Sequence, residues 1–521
     1  MESTVNMGVA VRIQNGRTTI LLCAVALIVL TSFHPYPYDN VVTRWALTRQ
    51  IVDEGSIRID PYVQYTNDRA LSGGHYYCDK AVLTSLLTVL PYGASKSLST
   101  ITGLHFSPDF IRYIAERLVT GASLILLLLL LFRFLKKQGY STFLPLLALG
   151  AGSILLPYST LLYGHVPAAL FIFMSWYFQE KGRYALSDIS GALASAIEFP
   201  VSLIFLILLL YRGRRYWTIK RLARTAGFLV LAFLPQLLHN WAAFGSPFTM
   251  GYSLETAEAF EGMSEGLFGF TLPSFRSLYI LVLSPERGLL FYMPWIALGF
   301  WGFFSGRRFK TVLKTNPLPL IIIAYSVLFS AYYMPTGGWA YGPRHLIPVI
   351  PFAAIGLAHF VKKNRKRKFT ALLLVLPSIL IALIGVFGEI HQPVHPFENP
   401  VPIPQWNIGL RMMLKGHHSL WLLSSMGTIA VSSAILLLWG SSFRKTRIAW
   451  PGFAVLGLWL VLILFSSVQN WGGRIDYYRG VLAQHREEWA LAACYYEKAA
   501  SDPSAPEIVM ERAEYCRGQI Q

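Results

Sequence analysis

Long apolar runs alternate with short polar, mostly basic stretches along nearly the whole chain. Runs suited to a helix crossing about 30 Å of hydrocarbon, which takes roughly 20 residues, fall near 18–33, 112–134, 142–158, 161–178, 223–241, 288–305, 317–334, 343–361, 369–388, 419–440 and 447–468. The pattern predicts an all-α, polytopic membrane protein with about 11 full-length spans. A further run, 186–211, is interrupted at Glu198-Phe199-Pro200, where proline removes a backbone donor and disfavours a straight helix.

The charged positions decide how that run is read. Basic residues concentrate on the cytoplasmic side of short loops. With the N-terminus inside, Arg133-Lys136-Lys137 and Lys181-Arg183 fall inside, and so does the next cluster, Arg212 to Arg224, only if 186–211 leaves and returns on the same side. A hairpin of two short helices bent at Pro200 meets both the length and the charge rule. The clusters at 307–314, 362–368 and 444–447 then fall inside without adjustment. The outer face receives a first loop, 34–111, a second long loop, 240–287, the turn 337–342, residues 389–417 and the tail after 468. Function resides disproportionately in long loops on a rigid scaffold, so chemistry is expected outside.

Two segments need separate treatment. Arg12 and Arg17 before the first run suggest a signal peptide, but HPYPYD follows in place of a small-residue cleavage site, and the run is read as a retained span. The tail 469–521 changes abruptly to a charged sequence with helical periodicity. Gly480, Ala492, Tyr496, Ala499 and Pro503 fall at spacings resembling one tetratricopeptide repeat. One such repeat cannot bury its own apolar face, which points to a helical hairpin docked on the membrane domain (1–468) or on a partner protein.

Composition agrees with the membrane reading. Of 521 residues 54% are hydrophobic and 14% charged, with a mean hydropathy of +0.46, far more apolar than a soluble chain of this size. The formal charge of +18 comes in short clusters between spans, the topology pattern and not a nucleic-acid surface. Cys23, Cys78, Cys494 and Cys516 have no metal-ligand spacing; Cys494 and Cys516 are placed to face each other in the tail hairpin, as a bridge or as free thiols.

Few polar residues are positioned for chemistry. Asp39 follows the first span and is either a helix N-cap or a general base; the helix-like stretch behind it puts Val42, Trp45 and Ile51-Val52 on an interfacial face. Asp79-Lys80 closes the polar part of the first loop, with the lysine as a snorkelling anchor or a phosphate ligand. The following AVLTSLLTVLPY is too short to span. His165 opens a span at its outer end. Glu198 is an ionisable group at membrane depth, functional by default unless it caps the break. The turn TGGWAYGPRH offers Tyr341, Arg344 and His345, with glycines permitting close approach and a guanidinium suited to phosphate. No Walker loop, dinucleotide fingerprint, HExxH or GxSxG is present, which argues against a nucleotide-driven pump or a soluble-type hydrolase.

Over residues 18–390 these features resemble the GT-C superfamily of integral-membrane glycosyltransferases, in particular bacterial glycosyltransferase family 39, related to protein O-mannosyltransferases and aminoarabinose transferases. The resemblance lies in Asp39 followed by TRWALTRQIVDEG, in YYCDKAVLTSLL, and in IEFPVSLIFLILLLY, LLHNWAAFGSPFTMGYS, LSPERGLLFYMPW and GGWAYGPRHLIPVIPF. Asn40 stands where such enzymes usually carry a second acid, and Ala81-Val82 where they carry a proline pair. The resemblance implies a polyprenyl-phosphate sugar as donor and a glycan, lipid or protein hydroxyl as acceptor. It also implies inversion at the anomeric carbon and a site at the outer face of a bacterial inner membrane. It implies Asp39 as general base and Lys80 and Arg344 as phosphate ligands, with Asp79, His165, Tyr341 and His345 beside them. It names no certain cofactor and leaves a divalent metal open. The alternatives are a lipid or polysaccharide transporter, whose polar residues would line a path, and an inactive relative acting as a scaffold.

Overall fold

A computed structural model of the chain describes residues 2–32, 38–387 apart from 105, 107, 213–216, 257–261, 264, 285–286, 307, 339 and 363, and 476–520 apart from 478–479, 481–482, 485–487, 502–504 and 506. The expected spans at 419–440 and 447–468 lie outside the described residues. Among the described residues the architecture is helical, with one two-stranded hairpin. In order the elements are α1 (Glu2–Thr31), α2 (Asp39–Glu54), β1 (Ala70–Ser72), β2 (His75–Tyr77), α3 (Leu83–Thr102), α4 (Pro108–Glu116), α5 (Ala122–Lys137), α6 (Phe143–Gly150), α7 (Leu155–Tyr158), α8 (His165–Glu180), α9 (Tyr184–Ile197) and α10 (Ser202–Leu210). They continue with α11 (Ile219–Phe244), α12 (Phe275–Val282), α13 (Leu289–Tyr292), α14 (Trp295–Phe304), α15 (Phe309–Thr315), α16 (Pro317–Ser330), α17 (Ile350–Phe360), α18 (Arg365–Phe387), α19 (Trp489–Ala500) and α20 (Ile508–Gly518).

Among the described residues three continuous helices are long and apolar enough to cross a membrane: Phe110–Lys137, Ile219–Phe244 and Arg365–Val386. Several other apolar runs are broken helices. The run at 142–158 divides into α6 and α7, that at 288–305 divides before Pro294 into α13 and α14, and that at 343–361 starts as a 3₁₀ turn, Arg344–Val349, before α17. α15 and α16 meet at 93°, where the Asn316 side chain accepts the Leu318 N–H at 3.0 Å and caps α16. Apolar periodicity reports burial or lipid contact, and it is blind to whether the backbone inside the run stays helical. The core joins these pieces: Trp295, fully buried, donates its indole N–H to the Gly152 carbonyl at 2.7 Å, just past the end of α6.

The interrupted run turns back on itself. α9 ends at Glu198, whose extended backbone (φ −139°, ψ 105°) breaks the helix before Pro200 starts the next turn. The two ends of the hairpin therefore meet. Asp188 near the start of α9, fully buried, accepts from Arg212 beyond α10, from Arg224 at 2.6 Å and from Thr225 at 3.0 Å on α11. A buried carboxylate requires such pairing.

α3 is amphipathic in the inverted sense expected beside lipid. Thr84, Ser85, Thr88 and Ser95 face inward, whereas Leu90, Leu98 and Ile101 are exposed. α2 packs against it. Val42 and Trp45, expected on an interfacial face, are buried, with the Trp45 ring edge-on to Tyr92 at 5.1 Å. Asp53 near the end of α2 accepts from Tyr92 at 2.8 Å and from Lys96 at 2.7 Å, so it ties the two helices together. In the tail, α19 and α20 pack around Ala492, Tyr496, Ala499, Ala513 and Cys516. Cys494 and Cys516 are free thiols, one exposed and one buried.

Candidate functional site

The long polar loop after the first apolar run is built around its own polar residues. Gly73 and Gly74 both take positive φ (56° and 80°), the two-residue turn that joins β1 to β2 with Ser72 opposite His75. The Gly-Gly-His triplet thus serves the hairpin, and His75 pairs with Asp60 at 2.9 Å. Behind the hairpin, Thr66 donates to the Asp39 carbonyl at 3.0 Å and the Asn67 N–H to the Asp39 carboxylate at 3.3 Å. Asp39 is the first residue of α2. The N-cap is Tyr38, with no side-chain cap, so the Asp39 carboxylate is engaged by the loop and not by its own helix.

Lys80 lies among three carboxylates. Its ammonium reaches Asp68 at 3.2 Å, Glu255 at 3.5 Å and the adjacent Asp79. Glu255 comes from the long loop after α11, where residue 255 bridges β1 at Ala70. Burial works to discharge Lys80, but Asp68, Asp79 and Glu255 hold its pKa well above the ordinary lysine range. For Asp79 burial works upward, but the Lys80 ammonium keeps the carboxyl below its usual range. Burial and the neighbouring Asp79 push Glu255 up. The carboxylate oxygens of Asp68, Asp79 and Glu255 lie within 4.8 Å of one another, close enough for a metal ion. Lys80 Nζ already supplies positive charge to all three.

Asp39 borders this cluster. Burial, then the Asp68 carboxylate, push its pKa up to about 7, against the pull of the Asn67 N–H and Lys80. Asp39 and Lys80, distant in sequence, therefore act on each other in one site.

The second half comes from the helical core. The turn 334–342 is held by Arg287, whose buried guanidinium donates to the carbonyls of Gly338 and Ala340. Gly337 has φ +74°, and a Cβ there would lie 3.2 Å from Arg344 Nε and 3.3 Å from His345 Nε2, so glycine lets both side chains close over the turn. The Arg344 guanidinium sits over the Tyr163 ring at 5.6 Å and makes no ion pair among the described residues. His345 stacks on Phe329 at 4.6 Å and meets His165 edge-on at 6.0 Å. Tyr163 joins the halves, because Arg344, Asp68, Arg44 and Asp39 all lie within electrostatic range of its hydroxyl.

Of the residues expected from the sequence, the fold gathers Asp39, Asp79, Lys80, His165, Arg344 and His345. Tyr341 is the exception. Fully buried, it donates its hydroxyl to the Ile381 carbonyl and its N–H to Tyr158, so it anchors the turn and faces away from the cluster. Sequence reading missed Arg44, Asp68, Tyr163 and Glu255. Only Arg44 carried a local signal, standing on the same helix as Asp39; the others come together only through long-range folding.

No family model and no curated protein matches the chain. Among solved structures it is similar to the crystal structure of ArnT from Cupriavidus metallidurans bound to undecaprenyl phosphate. The identity is 14% and the TM-score 0.43, covering 96% of this chain and 81% of that one. A likeness at that level identifies no activity for this chain.

Proposed function

We propose that the protein is a membrane glycosyltransferase that moves a sugar from a polyprenyl-phosphate donor to an acceptor hydroxyl at the outer face of the membrane. The observation that carries this reading is that two groups share the neighbourhood of Tyr163: a proton-accepting carboxylate, Asp39, and a guanidinium, Arg344, with no ionic partner among the described residues. A free, partly buried guanidinium calls for an anion, and phosphate fits its planar fork.

In the transfer step the acceptor oxygen attacks the anomeric carbon while Asp39 takes the hydroxyl proton. The bond from that carbon to the phosphate oxygen breaks, its electron pair stays on the phosphate, and configuration inverts. Arg344 stabilises the negative charge developing on the leaving phosphate. The resemblance assigned phosphate to Lys80 as well. Its engagement with three carboxylates supports a different part, in which Lys80 compensates the acids around Asp39 and Arg344 is the first cation the phosphate meets.

The test is an assay of purified full-length protein against a panel of polyprenyl-phosphate sugars. Asp39→Asn is expected to lower transfer at least ~100-fold, the scale of a lost general base. Full activity in a correctly folded Asp39→Asn protein would reject Asp39 as the base, and no transfer from any donor by the wild type would reject the reading as a whole.

A further inference from the structure

One part of the site is unused by that mechanism. At the break between α9 and α10, Glu198 turns its side chain toward the outer loops, where Oε1 lies 3.3 Å from His165 Nδ1 and 3.9 Å from Arg44 Nη2. Yet Oε1 is buried and makes no hydrogen bond among the described residues. Thr84 Oγ1, at the start of α3, and Arg44 Nε, on α2, are likewise buried without a hydrogen-bond partner. Glu198 Oε1 and Thr84 Oγ1 converge on Gly164, where a Cβ would lie 2.4 Å from the first and 3.1 Å from the second.

Buried polar groups are nearly always satisfied, and each exception calls for an explanation. Here an acceptor and a hydroxyl lack a hydrogen bond beside a residue with no side chain, and the Nε of Arg44, whose Nη2 approaches the same acceptor, lacks one too. Glu198 also lies in the electrostatic range of Arg344 and Lys80, which puts these groups beside those already described. Their mixed donors and acceptors suit a ligand that presents both, such as the hydroxyls of a pyranose or furanose ring, better than a second phosphate, which only accepts.

We propose that Glu198, Thr84 and Arg44, arranged around Gly164 and His165, form the subsite that holds the hydroxyl groups of the transferred sugar, with Glu198 as its specificity-determining residue. This rests on the glycosyltransferase reading and deepens it. With the phosphate on Arg344 and the acceptor proton directed to Asp39, the ring lies on the third side, against the hairpin break. The break at Pro200 then has a purpose: it delivers a carboxylate at membrane depth that a continuous helix would point along its own face.

The test compares lipid probes with and without a sugar. Full-length protein in nanodiscs is titrated with undecaprenyl phosphate alone and with polyprenyl phosphates carrying mannose or glucose. Wild type is expected to bind at least one sugar-bearing probe more tightly than the bare phosphate. Glu198→Gln should weaken that probe about tenfold, as expected for one charge-assisted hydrogen bond, and leave the bare phosphate within about twofold. Thr84→Val, nearly isosteric, should show the same selectivity at smaller size, and it decides the matter alone if Glu198→Gln does not fold. Equal loss for both probes, or no loss in either variant, overturns the subsite. So does a wild type that binds bare phosphate and gains nothing from either sugar, which leaves the phosphate reading standing. A wild type that binds no probe overturns both.

Discussion

At the scale of single residues, the site sets unlike environments around like groups. Asp39 is half-buried beside Asp68 and carries a pKa of about 7, whereas Asp79, in contact with Lys80, is held ionised. Environments that push two carboxyls apart in this way are how one site assigns acid and base roles. The proton-accepting form of Asp39 exists above its pKa, so kcat/KM for sugar transfer should rise through an apparent pKa near 7 and level off above it. A profile flat from pH 5.5 to 8.5 would remove Asp39 from the rate. The same shift has a stability consequence. An acid whose folded pKa is raised destabilises the fold progressively as pH climbs from its unfolded value, near 3.8, to about 7. Asp39→Asn should therefore raise the Tm at pH 8 while lowering transfer, a trade of stability for function.

At the scale of elements, the bent hairpin α9–α10 depends on its far end. Asp188 is fully buried and receives Arg212, Arg224 and Thr225, so it fastens the entry, the exit and the following helix at one point. Asp188→Asn would leave guanidinium groups without their counter-charge, a loss of about 3 kcal/mol where a buried pair is broken. A fall in Tm of several degrees is expected in detergent, with weaker binding of a sugar-bearing lipid as the hairpin loosens and Glu198 shifts. An unchanged Tm would mean that the lipid-facing packing alone holds the hairpin. The basic cluster from Arg212 to Arg224 marked this region in the sequence, but as a topology signal. That two of its arginines converge on a single acid was not legible, because Asp188 looks like any polar residue on a helix of mixed composition.

At the scale of the whole molecule, the basic clusters and the polar site lie in different parts of the sequence, which is the basis for placing the site outside. Labelling with a membrane-impermeant maleimide tests that placement. Cys494, an exposed thiol on the tail, should react in intact cells and lose the signal in a Cys494→Ser control. A cysteine replacing Gln138, which is exposed after α5, should react only after permeabilisation. The reverse pattern would invert the topology and move the site to the cytoplasmic side.

Apolar periodicity and basic loops by themselves determined the helical membrane class, the interruption at Glu198–Pro200 and the polar first loop, because hydrocarbon imposes length and charge rules that act locally along a chain. The same local logic singled out Asp39, Lys80 and Arg344 as ionisable groups in costly positions. Only the tertiary structure decided what each of them faces. Lys80 is surrounded by acids from two loops, one of them brought 175 positions along the chain, whereas Arg344 is left to an aromatic ring. Tyr341 turns away, and Glu198 meets Thr84 at Gly164 and approaches Arg44. Such partnerships depend on contacts between distant segments and on the close approach that a missing side chain permits, and neither leaves a periodic mark in the sequence.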